Sequence, residues 1–284
     1  MSVALANLSG RSVVVRGERA VDVERASGGR FGADPMSALA SWEVFVSWAG
    51  GLGDDAFVQP IDATRLGPPV PRPRKVFGIG VNYRAHAEEA KMELPKQPMV
   101  FTKFPSCLVG PTADVVLSSD TVDWEVELVV VIGRETRRVA AERALACVAG
   151  YCIGQDVSDR RMQFADKPPQ FSLGKSLDTF GPIGPALVTL DALRDPNDLA
   201  IRCEVDGAVM QDGRTSDMIF AVPELIAFLS ARIPLEAGDL IFTGTPAGVG
   251  STRTPRRYLK PGELVTSSIE GLGRMANRCI ESIT

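Results

Sequence analysis

Histidine is almost missing from this sequence: His86 is the only one among 284 residues. Any proton chemistry that needs an imidazole is therefore confined to one position. The five cysteines are odd in number and form no Cys-x-x-Cys, which excludes a disulfide framework and a zinc knuckle and reads as buried or incidental thiols in a reducing cytoplasm. No apolar run approaches the ~20 residues that span a bilayer, and the N-terminus lacks the basic and apolar regions of a signal peptide, so a cytoplasmic protein without a membrane partner is expected. Basic charge is also short. A net charge of −4, a pI near 5.3 and 6% aromatics leave neither an electrostatic footprint nor stacking platforms for nucleic acid. Nucleotide fingerprints are missing too: Gly78-x-Gly80 has no third glycine, and Gly244 to Gly250 does not match a P-loop.

What is present is an ordinary globular composition, long enough for a substantial core and a small accessory domain. Residues 1–66 read as a small α+β unit, with a hairpin formed by Ser12 to Val15 and Arg19 to Val23 around a Gly17 turn. A helix is expected from Ser37 to Trp48, where Leu39, Trp42, Phe45 and Val46 recur at helical spacing. Residues 67–74 hold four prolines within six positions and read as an extended linker. Residues 75–284 are strand-rich, with apolar runs at Val76 to Ile79, Val115 to Leu117, Leu128 to Ile132, Ala186 to Leu190, Leu240 to Phe242 and Leu264-Val265. Helical periodicity there is confined to Ala140 to Ala149 and Pro223 to Ser230. Strands without regular strand–helix alternation favour a mainly β architecture with some helix, an α+β class, over a doubly wound sheet.

Chemistry concentrates in a few segments. His86 and Glu89 lie one helical turn apart, so they are either a base with its orienting carboxylate or a surface pair. On a strand Asp123, Glu125 and Glu127 share a face, with Cα atoms about 7 Å apart for alternate residues. Such carboxylates are either solvated or share a cation, and oxygen-only ligation would favour Mg²⁺, Mn²⁺ or Ca²⁺. Asp156 follows an apolar stretch and reads as a third ligand or as a helix cap. Lys175, between small residues, is a cation for a carboxylate or enolate, or solvated surface.

Six blocks in this order resemble the fumarylacetoacetate hydrolase family, in its branch of acylpyruvate hydrolases and 2-hydroxyhepta-2,4-diene-1,7-dioate isomerases. They are Gly80 to His86, Asp123 to Leu128, Gln155 to Ser158, Lys175 to Pro182, Thr215 to Phe220 and Thr243 to Gly250. The resemblance implies a C-terminal domain of mixed β-sheets rolled into a barrel-like form around a metal, beside a small N-terminal domain, as a homodimer. It implies Glu125, Glu127 and Asp156 as Mg²⁺ or Mn²⁺ ligands (Ca²⁺ as a substitute), Lys175 as the cation beside the substrate, Arg160, Gln163 and Thr245 as substrate contacts, and His86 with Glu89 as a water-activating dyad on a mobile helix. Two departures stand out. Gln155 replaces the usual Asn before the ligand Asp, and Asp159-Arg160-Arg161 replaces Ala-Arg-Asp, adding positive charge that would suit a more acidic substrate.

The expected reaction is hydrolytic C–C cleavage of a β-diketo acid of the acylpyruvate or fumarylpyruvate type, through an enolate stabilised by metal and Lys175. Oxaloacetate decarboxylation and keto–enol isomerisation of a 2-oxo dicarboxylic acid are the alternatives on the same site. A degenerate member that only binds keto acids is the non-enzymatic one.

Overall fold

The computed structural model describes residues 2–282. Its centre is the strand Val126–Ile132, whose seven residues are all buried. A run of Val, Leu and Ile with no turn residue is suited to a strand covered on both faces, and each such side chain contributes about 1.5–3 kcal/mol on burial. This strand pairs antiparallel with Val148–Gln155 on one side and with Leu240–Phe242 on the other. Gly154 permits that packing, because a Cβ there would lie 2.6 Å from the Phe242 ring.

The large sheet runs in the order Gln59–Pro60, Arg19–Asp22, Arg11–Arg16, Ala4–Leu8, Gly181–Val188, Val148–Gln155, Val126–Ile132, Leu240–Phe242, Val76–Gly80, Met99–Thr102. The N-terminal strands thus extend the same sheet through the pairing of Ala4–Leu8 with Gly181–Val188. A second sheet of five strands orders Ala208–Arg214, Ala200–Val205, Leu264–Ile269, Gly273–Glu281 and Val115–Leu117. Both pairing paths are open at their ends, so these mixed sheets form no closed barrel.

The local expectations hold in outline, with physical corrections. The hairpin forms as Arg11–Arg16 and Arg19–Asp22, but Val23 already begins a helical turn capped by Asp22. The helix expected from Ser37 to Trp48 is two, Pro35–Leu39 and Trp42–Ala49; Asp34 caps the first, and the chain breaks at Ala40-Ser41. Within the second helix Phe45 stacks on Trp42 one turn earlier, and it meets Phe31 edge-on. The helix expected through Ala149 stops at Ala144, passes through a 3₁₀ turn and gives way to a strand at Val148, because pairing with Val126–Ile132 claims that segment. The strand expected at Ala186 to Leu190 begins at Gly181 and ends at Val188. All five cysteines are free and buried. No helix of the described residues is long and apolar enough to cross a membrane.

Candidate active site

The acidic segment does not form one continuous strand. Val122–Asp123 pairs with Ser158–Asp159, the chain departs from strand geometry at Trp124-Glu125, and the long strand starts at Val126. Asp123 therefore leaves the face it was expected to share. Its carboxylate accepts the N–H groups of Gly250 at 2.7 Å and Ser251 at 3.0 Å and takes the Arg160 guanidinium at 2.8 Å. Glu125 and Glu127 instead meet Asp156, which follows the neighbouring strand Val148–Gln155; one oxygen from each of the three lies within 4.8 Å of the others. Two antiparallel neighbours explain the convergence. Val126 sits opposite Gln155, so residues just outside that pair are adjacent, and the Asp156 N–H donates to the Glu125 carbonyl at 2.9 Å.

Three buried cations surround the acids. Lys175 Nζ donates to Glu125 Oε2 at 2.8 Å, Asp156 Oδ2 at 2.7 Å and Ser158 Oγ at 2.7 Å, which engages all its hydrogens. Arg160 donates to Asp123, Glu125 and Gln163, with Gln163 Oε1 at 2.8 Å. Lys103, only 1% exposed, donates to Asp156 Oδ1 at 2.7 Å and to the carbonyls of Lys175 and Phe180. Burial pushes the Glu125 carboxyl up, but Lys175 and Arg160 outweigh it and hold the group down to about 2. Burial pulls Lys175 down, yet Asp156 and Glu125 leave it above the ordinary lysine value.

Glu127 is different. It accepts the Gly244 N–H at 2.8 Å but no cation, and burial followed by the charges of Asp156 and Glu125 pushes its carboxyl well above the ordinary range. Four buried carboxylates, Asp123, Glu125, Glu127 and Asp156, thus face three buried cations, Lys103, Arg160 and Lys175. An oxygen-only donor set with a deficit of positive charge at Glu127 fits a hard divalent cation such as Mg²⁺ or Mn²⁺. Gly244 can approach because it adopts φ +96°; a Cβ there would lie 2.7 Å from Asn82 Cβ.

Opposite this floor stands the helix Arg84–Glu89. His86 Nδ1 and Glu89 Oε1 are 2.7 Å apart, and Glu89 also accepts the Gly248 N–H at 3.0 and 3.1 Å. With Nδ1–H given to the carboxylate, Nε2 is left as the basic nitrogen. Burial raises the Glu89 carboxyl, but the hydrogen bonds from His86 and Gly248 leave it below its ordinary value. Gly248, at φ +106°, is pressed so close to the Met210 carbonyl that no side chain would fit. Asn82 ties the base of the helix to the loops it faces, donating to the carbonyls of Phe220 at 3.0 Å and Thr243 at 2.7 Å.

A cavity of 770 Å³ joins these parts, with His86, Glu89, Glu125, Glu127, Arg160, Gln163, Lys175 and Thr245 all on its wall. The structure brings together every residue singled out in the sequence, Asp156 just beneath the others through its contact with Lys175. Several of them are also bonded within the protein. Arg160 is spent on Asp123, Glu125 and the Gln163 amide oxygen, and Thr245 Oγ1 donates to the Val126 carbonyl and accepts from Gln211. Gln155, the departure noted in the sequence, accepts the Glu125 N–H through its amide oxygen and donates to Ser267, so its extra methylene reaches the second sheet. Sequence reasoning missed Lys103, Asp123's role as an anchor, and Gln211; a lone Lys in an apolar stretch, Phe101-Thr102-Lys103-Phe104, is the only signal for the first.

The Fumarylacetoacetate (FAA) hydrolase C-terminal family matches residues 75–280, and the chain belongs to it. Among its relatives is the human protein named oxaloacetate tautomerase FAHD2A, mitochondrial, 47% identical over 214 residues that cover 75% of this chain and 68% of that one. Among solved structures, a putative HpcE protein from Mycobacterium smegmatis superposes with a TM-score of 0.94 at 46% identity, covering 99% of this chain and all of that chain (100%). Maleylpyruvate hydrolase from Sphingobium sp. SYK-6, solved in complex with manganese(II) ion and pyruvate, superposes with a TM-score of 0.82 at 30% identity, covering 98% of this chain and 99% of that chain.

Proposed function

We propose that this protein is a divalent-metal-dependent enzyme that converts a 2-oxo carboxylic acid through its enolate, with keto–enol tautomerisation of a 2-oxo dicarboxylic acid as the leading reaction. The observation that carries the reading is the opposition, across one cavity, of the Glu125–Glu127–Asp156 cluster and the His86–Glu89 dyad. Glu125, Glu127 and Asp156 would hold Mg²⁺ or Mn²⁺, and the ion would supply positive charge for the oxygens of the substrate's carboxylate and 2-oxo group. Lys175 adds charge through its position between two of the ligands, since its hydrogens are already committed. His86 Nε2 takes the proton from the carbon beside the carbonyl, Glu89 stabilises the imidazolium, and the proton passes to the oxygen, so mass is unchanged. The human relative's name favours this reaction over the hydrolysis expected from the sequence.

Hydrolysis is the second reading, supported by the maleylpyruvate hydrolase likeness. There His86 would deprotonate a water that attacks the distal carbonyl of an acylpyruvate. Product analysis separates the routes: a tautomer of unchanged mass, two carboxylic fragments, or CO₂ from decarboxylation. His86→Ala is expected to lower turnover of the preferred substrate about 10²–10⁴-fold while Mn²⁺ binding, followed by calorimetry, persists. Undiminished turnover in the mutant would overturn the assignment. The homodimer belongs to the same proposal, and light scattering of the purified protein tests it.

A further inference from the structure

The positive groups of the cavity fall into two sets. Those of the floor, Arg160 and Lys175, are buried and fully paired with carboxylates. Lys91, Arg161 and Arg256 line the same cavity but are exposed, which places them at its mouth. No acidic residue accompanies them on the exposed wall: the acids that line the cavity are Glu89, Glu125 and Glu127, all committed to the dyad or the floor. Arg161 is held by Asp120. Arg256 has no ion pair or hydrogen bond among the described residues, and the hydroxyl of its neighbour Tyr258, also on the wall, has none. The wall also carries an apolar stretch in which Phe171 contacts both Phe101 and Phe164.

We infer that Arg256, assisted by Tyr258, forms a subsite for a second carboxylate at the far end of the substrate. A guanidinium presents paired N–H donors that match a carboxylate, and a phenol beside it adds a third donor. The substrate is then a 2-oxo dicarboxylic acid whose head meets the floor, whose hydrocarbon middle lies along the phenylalanines and whose anionic tail reaches Arg256. The volume exceeds what a head group alone would fill, and lies within the range of pockets that enclose whole ligands. This inference rests on the proposed function, since it presumes that the 2-oxo acid head binds at the floor.

The test is calorimetric binding to the Mn²⁺-loaded protein of two matched pairs: 2-oxopentanoate with 2-oxoglutarate, and 2-oxoheptanoate with 2-oxoheptanedioate. In at least one pair the dicarboxylate should bind roughly tenfold more tightly than its monoacid, as expected for a charge-assisted contact. Arg256→Gln should erase that preference, leave the monoacids unchanged and leave the melting temperature unchanged, because Arg256 is exposed and unpaired. Tyr258→Phe should reduce the preference by a smaller factor. Equal binding within both pairs by the wild type, or equal weakening of monoacid and dicarboxylate in Arg256→Gln, would overturn the subsite and leave the proposed function standing. Failure of every 2-oxo acid to bind would overturn the proposed function, and the subsite with it.

Discussion

On and beneath the floor of the cavity Lys175, Arg160 and Lys103 spend their hydrogens on carboxylates, an amide, a hydroxyl or carbonyls of the protein, at 8% exposure or less. At the mouth Lys91 and Arg256 are exposed and, among the described residues, have no ionic partner. The same residue types therefore serve two purposes. Buried cations fix the geometry of the acids, because an unpaired buried charge is intolerable and each must be satisfied before the fold is stable. Mouth cations are satisfied by water and remain free to exchange it for a ligand. Between them the His86 and Glu89 side chains are partly exposed, at 13% and 23%, and Glu89 is fastened to one backbone N–H of Gly248.

The sharpest way to break this contrast is Lys103→Met, which keeps an unbranched stem and deletes the charge. It strips Asp156 Oδ1 and two carbonyls of their shared donor, and the expected loss is about 3–5 kcal/mol of unfolding free energy in urea. A loss comparable with that of a surface lysine would show the floor to be less tightly coupled than its distances imply. Next in size is the effect of metal. With Mn²⁺ at a hundred times its dissociation constant, stability should rise by about 2.7 kcal/mol, an increment that chelation removes and that Glu127→Gln abolishes. Substitutions at the mouth should leave that increment intact.

Smaller still is the acid response of the dyad. The Glu89 carboxyl lies below its ordinary 4.5 when folded, so its docking is fully present above that pH and is lost as pH falls through the lower, folded value. Lost protection of the Gly248 amide below pH 4.5, its exchange rate taken against the unstructured rate at the same pH by NMR, is the expected signature, and Glu89→Gln should remove this pH dependence. The cost of Glu89→Gln to global stability should stay within about 1 kcal/mol, since the pair is partly exposed.

How much of this was legible in the sequence follows the same division. Glu125 and Glu127 announce themselves through alternation beside an apolar run, and Asp156 through its place at the end of another, because strand periodicity is a local property. Lys175 and His86 stand out by scarcity of similar residues around them. Lys103 does not, since its significance comes from Asp156, 53 residues away, and no local pattern encodes that pairing. Arg160 was visible as a cation but its commitment was not: only the fold shows that Asp123, Glu125 and Gln163 use up its donors. The break between Pro35–Leu39 and Trp42–Ala49 escaped for a related reason, as the apolar spacing runs straight through Ala40-Ser41 and carries no sign of the turn there.

The Gly248 contact also orders events during synthesis. The three clustered acids lie within or directly beside two neighbouring strands, Val126–Ile132 and Val148–Gln155, which emerge from the ribosome close together and can pair as a unit. Glu89 must wait for a partner 159 residues further along the chain. Closing so long a loop brings its reward only at the end, so Glu125 and Asp156 can meet early, while Glu127, which takes the Gly244 N–H, waits for the same late segment as Glu89. A nascent chain can thus bring two of the three acids together before either Glu127 or the dyad is anchored.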